Sequence, residues 1–314
     1  MTILISITGY DPERWAEIFR RAAPGRQVVT APAGPADPAI RYAIVWKQPE
    51  GLLAGLPNLT AIFSLGAGVD HILRDRTLPD RPVVRIVAED LTARMSEYVV
   101  WRVMDHFRRG FAYRAQQGQK LWHERLQPAA REITVGIMGL GNLGRDAAEK
   151  LKVLGFRVAG WSRTERRVDG VDTFAGEAGL GPFLAASDIL VVLLPATPET
   201  KGILDAKLLS RLKRQTPLGA GPVLINAGRG SLQVEADILA ALDAERLSEA
   251  SLDVFESEPL PAASPLWTHP RVFVTPHAAA VSDPTALVPE ILKQIEAFER
   301  GEPLRHVVDR QAGY

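Results

Sequence analysis

Short, continuously apolar runs alternate along this chain with amphipathic stretches whose ends carry proline, glycine or acid. Ile189-Leu190-Val191-Val192-Leu193-Leu194 has no polar alternation, the pattern of a parallel strand covered on both faces. Ile3–Ile7 reads as a first buried strand, and Asp11-Pro12-Glu13 opens a helix through about Arg21, with proline and acid in its first turn. Gln27–Thr30 and Ala43–Trp46 are predicted strands, parted by the Pro/Gly/Ala-rich stretch 31–38. Asn58–Ser64 is a further strand ending in the turn Leu65-Gly66-Ala67-Gly68. Asp70 to Arg74 is predicted helical, and Val83–Val87 closes the series. Strands alternating with short helices over this length make an α/β unit.

A proline-free helical segment is predicted from about Thr92 to Gln117, with Val99, Val103 and Phe107 in its apolar series. Segment 118–131 is polar apart from Leu121, Trp122 and Leu126. A second unit then begins with strand Ile133–Met138 and a helix from Gly141 to about Leu154. Predicted strands follow at Arg157–Trp161, Ile189–Leu194, Val223–Asn226, Ala250–Val254 and Val272–Thr275, with helices over 205–213 and 234–243. Pro284 to Arg300 is a last long helix before an extended tail. One long helix on each side of the second unit predicts a chain that crosses twice between domains, its final segment completing the first.

A length of 314 residues fits two domains. Lysine plus arginine equals aspartate plus glutamate, 37 each, so no global field draws the chain to nucleic acid or anionic lipid. Lys47, Arg85, Arg94 and Arg108-Arg109 lack aromatic interleaving and read as solvated or inter-domain charges rather than a nucleic-acid patch. The absence of cysteine excludes disulfides, thiolate metal sites and cysteine nucleophiles. No apolar run approaches a membrane span, and Met1–Gly9 reads as a strand rather than a signal peptide, so a cytoplasmic protein off the membrane is expected.

Gly139-Leu140-Gly141-Asn142-Leu143-Gly144 lies between a strand and a helix. There the first glycine permits a tight turn, the second lets backbone approach a pyrophosphate, and the third lets the helix pack closely on the sheet. The helix N-terminus adds free N–H groups and a positive dipole end. At the end of the next strand, where an NAD site usually carries an acid, the chain has Ser162-Arg163-Thr164, with Arg166 and Arg167 behind. Arginine and hydroxyls there suit a 2′-phosphate, so NADP is the expected cofactor, with NADPH preferred over NADH.

Three polar residues follow later strands. Arg229 sits in Asn226-Ala227-Gly228-Arg229-Gly230, where its planar fork can meet a carboxylate; Glu258 lies past strand 250–254; His277 follows strand 272–275. Histidine suits proton donation to a carbonyl because its ordinary pKa is near neutral, and a neighbouring carboxylate would favour imidazolium. His71, His106, His123, His269 and His306 share no metal-ligand spacing; His106 reads as a packing or surface residue, and His71 as a weaker candidate beside a site. No G-x-S-x-G elbow is present, which disfavours hydrolysis.

In these motifs the chain resembles the D-isomer-specific 2-hydroxyacid dehydrogenases, and within them a glyoxylate/hydroxypyruvate reductase A-like subgroup. The resemblance rests on Gly66-Ala67-Gly68-Val69-Asp70, Met95-Ser96-Glu97-Tyr98, the glycine loop, Leu193-Leu194-Pro195-Ala196-Thr197-Pro198-Glu199-Thr200 and Ala227-Gly228-Arg229-Gly230. Leu252–Leu260, Ser264-Pro265-Leu266-Trp267, Pro276-His277 and the ending Val308–Tyr314 extend it over nearly the whole chain. It implies two Rossmann-like domains: a doubly wound parallel-sheet cofactor domain over 99–277 and a flavodoxin-like substrate domain over 1–98 and 278–314, linked by two crossing helices. It implies that Arg229 binds a 2-oxo acid carboxylate, His277 protonates the carbonyl oxygen and Glu258 supports imidazolium. Gly139, Gly141, Asn142, Leu143, Gly144, Ser162, Arg163, Thr164, Leu194, Pro195, Ala227 and Asp253 are the implied cofactor contacts, Asp253 accepting from the nicotinamide carboxamide. Gly66, Ala67 and Gly68 would hold the substrate carboxylate, with Trp46 and Lys47 lining its pocket. A homodimer through the cofactor domains and a cleft that closes on substrate are also implied. Reduction of bulkier 2-oxo acids, such as phenylpyruvate, remains an alternative, as does a non-catalytic dinucleotide sensor that recruits a protein.

Overall fold

The structure, a computed structural model, describes residues 1–31, 37–281 and 283–314; positions 32–36 of the Pro/Gly/Ala-rich stretch lie outside the described residues. These residues divide into two compact units, Met1–Leu91 with Val281–Tyr314, and Thr92–Ala280.

The first unit contains β1 (Thr2–Ile7), α1 (Pro12–Ala22), β2 (Gln27–Thr30), β3 (Ile40–Trp46), β4 (Ala61–Ser64), α2 (Asp70–Leu73) and β5 (Val83–Val84). Its strands pair in parallel in the order β2-β1-β3-β4-β5, so the direction of winding reverses between β1 and β3. Helix α1 starts where the sequence predicts, because the Asp11 carboxylate accepts from the Glu13 and Arg14 amides. Strand β1 is buried along its length, as its unbroken apolar sequence requires.

The chain enters the second unit within α3 (Glu89–Phe107), which is followed by α4 (Gly110–Gly118). The helix predicted to run unbroken over 92–117 is thus two helices. Arg109 takes a left-handed conformation (φ 63°), and Arg114 folds back to give Asp105 a two-pronged contact at 2.8 and 2.9 Å. Gly110 makes this possible, since a Cβ there would fall 1.9 Å from the Asp105 carboxylate.

Then come β6 (Thr134–Met138), α5 (Asn142–Val153), β7 (Arg157–Ser162), β8 (Asp172–Ala175), α6 (Gly176–Ala186), β9 (Ile189–Val192) and α7 (Ala206–Ser210). A small hairpin of β10 (Gln215–Thr216) and β11 (Gly219–Ala220) precedes β12 (Val223–Asn226), α8 (Glu235–Asp243), β13 (Glu249–Leu252) and β14 (Val272–Val274). Seven strands pair in the order β14-β13-β12-β9-β6-β7-β8, every ladder parallel. That is the doubly wound, Rossmann-like order, with its switch point between β6 and β9. Alternate residues feed two cores: Ile189 and Val191 join the cluster beneath α3 and α5, Leu190 and Val192 the one beneath α6 and α8.

The chain returns to the first unit at Val281, ahead of α9 (Pro284–Glu299). Arg26, beyond the end of α1, grips Glu299 at 2.7 and 2.5 Å. The tail then adds to the edge of β5, where the Val308 amide donates to Val83 O at 2.8 Å. No helix among the described residues is long and apolar enough to cross a membrane.

Candidate active site

The glycine loop occupies the switch point of the second unit, at the C-terminal end of β6. Gly139 sits at φ +116°, a conformation side chains resist, and a Cβ there would meet the Leu193 carbonyl at 2.9 Å. A Cβ on Gly144 would lie 2.0 Å from Gly139 O, so its absence lets α5 press against the turn. Gly141 is different. A Cβ there would meet nothing within 4 Å, and the residue is exposed at the head of α5. Its bare backbone opens outward, beside the helix amides of Asn142 and Leu143, as an approaching pyrophosphate requires. Each glycine therefore has the role that the spacing assigns it, and the residues present fit a dinucleotide.

Strand β7 ends at Ser162, whose hydroxyl donates to Thr164 O at 2.8 Å and shapes the turn. Arg163, Thr164, Arg166 and Arg167 are exposed around it, and no acid takes the end of the strand. Across from it, the loop after β9 is tied by Thr200, whose hydroxyl donates to Pro195 O at 2.7 Å while receiving the Thr197 amide. On that loop the Glu199 carboxyl lies below its ordinary range, held there by the Thr197 hydroxyl first and by Arg163 last. Leu194 is buried and Pro195 partly so.

Arg229 follows β12. The Asn226 side chain holds its loop at both ends: the amide of Gly228 donates to Oδ1 at 3.1 Å, and Nδ2 donates to Arg229 O at 3.2 Å. The Arg229 guanidinium itself donates to Gly228 O at 2.8 Å, and Ala227 is buried before it. Gly230 presses so closely on Phe255 that a Cβ would fall 1.8 Å from its carbonyl oxygen. The Phe255 amide in turn donates to Glu258 Oε1 at 3.3 Å. The arginine loop and the glutamate loop are thus packed backbone against backbone.

His277 meets that glutamate. Its Nδ1 lies 2.9 and 3.1 Å from the two Glu258 oxygens, and its backbone is left-handed at φ 53°. The amides of Ala278 and Ala279 donate to the two oxygens of buried Asp253, at 2.8 and 3.0 Å, and the His277 amide to Asp253 O at 2.8 Å. Burial pushes the Asp253 carboxyl up, against the Thr275 hydroxyl, these two amides and His277, which hold it down. The carboxylate expected at the nicotinamide carboxamide is therefore also the anchor of the histidine loop.

A donor paired with a carboxylate, an arginine fork and a dinucleotide cradle, all at strand C-termini of one sheet, are the parts of a hydride-transfer site. Comparison with known proteins agrees. Residues 100–279 match the family model for the D-isomer specific 2-hydroxyacid dehydrogenase NAD binding domain. The chain is 42% identical to the glyoxylate/hydroxypyruvate reductase A of Escherichia fergusonii, over 100% of both chains. It is 48% identical, with a TM-score of 0.94, to the NADPH-dependent glyoxylate/hydroxypyruvate reductase of Sinorhizobium meliloti crystallised with NADP and sulfate, over 100% of this chain and 99% of that one. A D-isomer specific 2-hydroxyacid dehydrogenase of Xanthobacter autotrophicus crystallised with NADPH and MES is 40% identical, with a TM-score of 0.93 over the same shares.

The chain belongs to the D-isomer specific 2-hydroxyacid dehydrogenase family. Within it, this dehydrogenase falls in the glyoxylate/hydroxypyruvate reductase A-like subgroup, and it is an NAD(P)-dependent oxidoreductase of 2-oxo and 2-hydroxy acids.

The substrate residues expected in the first unit also stand at strand ends. Trp46 and Lys47 follow β3, Lys47 with φ 49°, and Gly66, Ala67 and Gly68 follow β4. Gly66 is needed because a Cβ would strike the Trp46 ring at 2.4 Å. His71, buried in α2, lies against the other side of this feature, its ring centroid 4.6 Å from that of Trp46. The dehydrogenase site also uses residues the sequence did not single out: Asn226, Thr275 and Tyr98 act on backbone or on another side chain, and no spacing signals that role.

Proposed function

We propose that this dehydrogenase reduces a small 2-oxo acid, glyoxylate or hydroxypyruvate, at the expense of NADPH, with His277 as proton donor. The observation that carries this reading is the His277–Glu258 pair at 2.9 Å, on the sheet edge that also presents the glycine loop. When bound, the cofactor supplies hydride from nicotinamide C4. Arg229 binds the substrate carboxylate through two parallel N–H bonds and polarises the carbonyl beside it. With Nδ1 turned to Glu258, the ring delivers its proton from Nε2 as the alkoxide forms. Glu258 keeps the ring in that orientation and stands against its positive charge. In the first unit, the Ala67 and Gly68 amides, with Trp46 and Lys47, are assigned to substrate.

Preference for NADPH is supported by the arginine-bearing turn after β7, where an acid would repel a 2′-phosphate. The named relatives support the substrate class, both being described as glyoxylate/hydroxypyruvate reductases. A homodimer through the second unit is proposed as well. Its segment after α4 leaves Trp122 and Leu126 almost fully exposed, a load of apolar surface that a partner would cover.

The test is a kinetic panel of glyoxylate, hydroxypyruvate and phenylpyruvate with NADPH and NADH, on the wild type and His277→Ala. Wild type should favour the two small acids with NADPH. His277→Ala should lose roughly 10²–10⁴-fold in kcat, the range of general-acid catalysis, at unchanged NADPH affinity. A near-wild-type rate in His277→Ala removes the proton-donor assignment, and a preference for phenylpyruvate removes the substrate assignment.

A further inference from the structure

The loop bearing His277 is an unusual place for a reacting side chain. Its backbone is left-handed without being glycine, a conformation that must be held by its surroundings. The restraint comes from one carboxylate. Asp253 receives the next two amides of the loop on separate oxygens, and its Oδ1 also receives the Thr275 hydroxyl at 2.6 Å. Tyr98, on α3, places its hydroxyl 2.8 Å from Thr275 Oγ1.

The direction of this chain follows from counting protons. A carboxylate can only accept, so the single Thr275 proton points at Asp253. The Tyr98 hydroxyl must then donate to Thr275. Burial and the nearby Asp253 charge push the Tyr98 phenol up, so it keeps the proton this requires. The result is a one-way relay, Tyr98 to Thr275 to Asp253, in which each bond polarises the next.

We infer, on the reading of His277 as proton donor, that Thr275 and Tyr98 are positioning residues for the reduction: they keep the Asp253 carboxylate oriented to receive both loop amides, and through it they fix the His277 ring. The ionisable groups facing Asp253 are Tyr98 and, one turn along α3, Arg102, with His277 on the loop and Glu258 behind it. Of the bonds that oppose burial at Asp253, the one from Thr275 contributes most. Without it the carboxyl takes up a proton at higher pH. A protonated carboxyl donates from one oxygen, so it no longer accepts well from two amides, and the loop relaxes.

Thr275→Val keeps the shape of the side chain and removes the relay. Its kcat for glyoxylate with NADPH is expected to show an acid limb about one pH unit above that of wild type, with a roughly tenfold loss at the acid end that narrows towards pH 8. NADPH affinity by fluorescence titration should be unchanged, which also reports that the variant is folded. Tyr98→Phe should move the limb in the same direction by less, and Thr275→Ser, which restores a hydroxyl, should bring it back. A wild-type pH profile in Thr275→Val overturns the positioning role, as does an equal loss at every pH together with weakened NADPH binding, which marks a packing defect. His277→Ala, run beside these, separates the two failures: if it is inactive while Thr275→Val behaves as wild type, only the positioning role falls. If His277→Ala is active, the proton-donor reading falls and the positioning role with it.

Discussion

Arg229 is a planar fork on a loop whose backbone is fixed by a neighbour's carboxamide. Asn226 satisfies the Gly228 amide and the Arg229 carbonyl, and Gln233 completes its set by accepting from Nδ2 at 2.9 Å while donating to Val254 O. The backbone of Arg229 is therefore held by a network buried beneath it. A lysine there keeps the charge but loses the two parallel donors that match a carboxylate. Arg229→Lys is expected to raise the KM for glyoxylate and lower kcat together, with kcat/KM down about 10–100-fold and NADPH affinity unchanged. Steady-state kinetics beside a cofactor titration check this. An unchanged kcat/KM means that Arg229 meets the substrate as a point charge or not at all.

At the scale of elements, α3 lies against β13 along a buried polar seam. Glu249 and Ser251 on the strand face His106 and Arg102 on the helix, and the Arg102 guanidinium is stacked 3.9 Å over the Phe273 ring. Although Glu249 stands 2.6 Å from His106 Nδ1, burial outweighs it and pushes the imidazole down, so the ring is neutral. Nδ1–H then donates to Glu249, and Nε2 accepts from Ser251. A histidine lowered on folding leaves the unfolded chain as the one that takes up a proton below about pH 6.5. Its share of stability is thus complete above that pH and is lost as pH falls through it. Melting midpoints of wild type should drop between pH 7.5 and 5.5, and His106→Asn, less stable throughout, should show a flatter slope. Parallel slopes would assign the drop to other groups; exposed His306 is lowered in the same sense, by partial burial and by Arg85 and Arg305, but solvent weakens its share.

The same seam explains what the sequence could and could not say. The strands and the residues at their ends were legible because an apolar run followed by glycine, arginine or histidine is a local pattern. His106 was not, since a helical histidine looks alike whether it meets water or a strand 140 positions away. The break at Arg109 and the helix α6, whose Gly176, Gly179, Gly181 and Pro182 argue against a helix, are likewise set by packing: Leu180, Phe183 and Leu184 of α6 are buried in the sheet's core.

For the whole molecule, the charge balance limits how a dinucleotide carrying several negative charges is captured. Thirty-seven cations against thirty-seven anions leave no net field, so selectivity between NADPH and NADH has to arise within a few ångströms of the 2′ position. Both cofactors present the same pyrophosphate to the glycine loop and should draw equal support from it. What differs is the turn after β7. Any ligand that binds the folded chain stabilises it by mass action, about 2.7 kcal/mol at a hundredfold excess over its Kd. At one fixed concentration of each, NADPH should therefore raise the melting midpoint by several degrees and NADH by clearly less. Arg163→Ala should shrink the NADPH shift towards the NADH one while leaving the NADH shift in place, because only the 2′-phosphate contact is removed. Equal shifts in the wild type would place both cofactors in the same energetic class and remove the arginine turn from cofactor choice. An Arg163→Ala variant that loses both shifts together would instead make the turn a support for the loop rather than a reader of the phosphate.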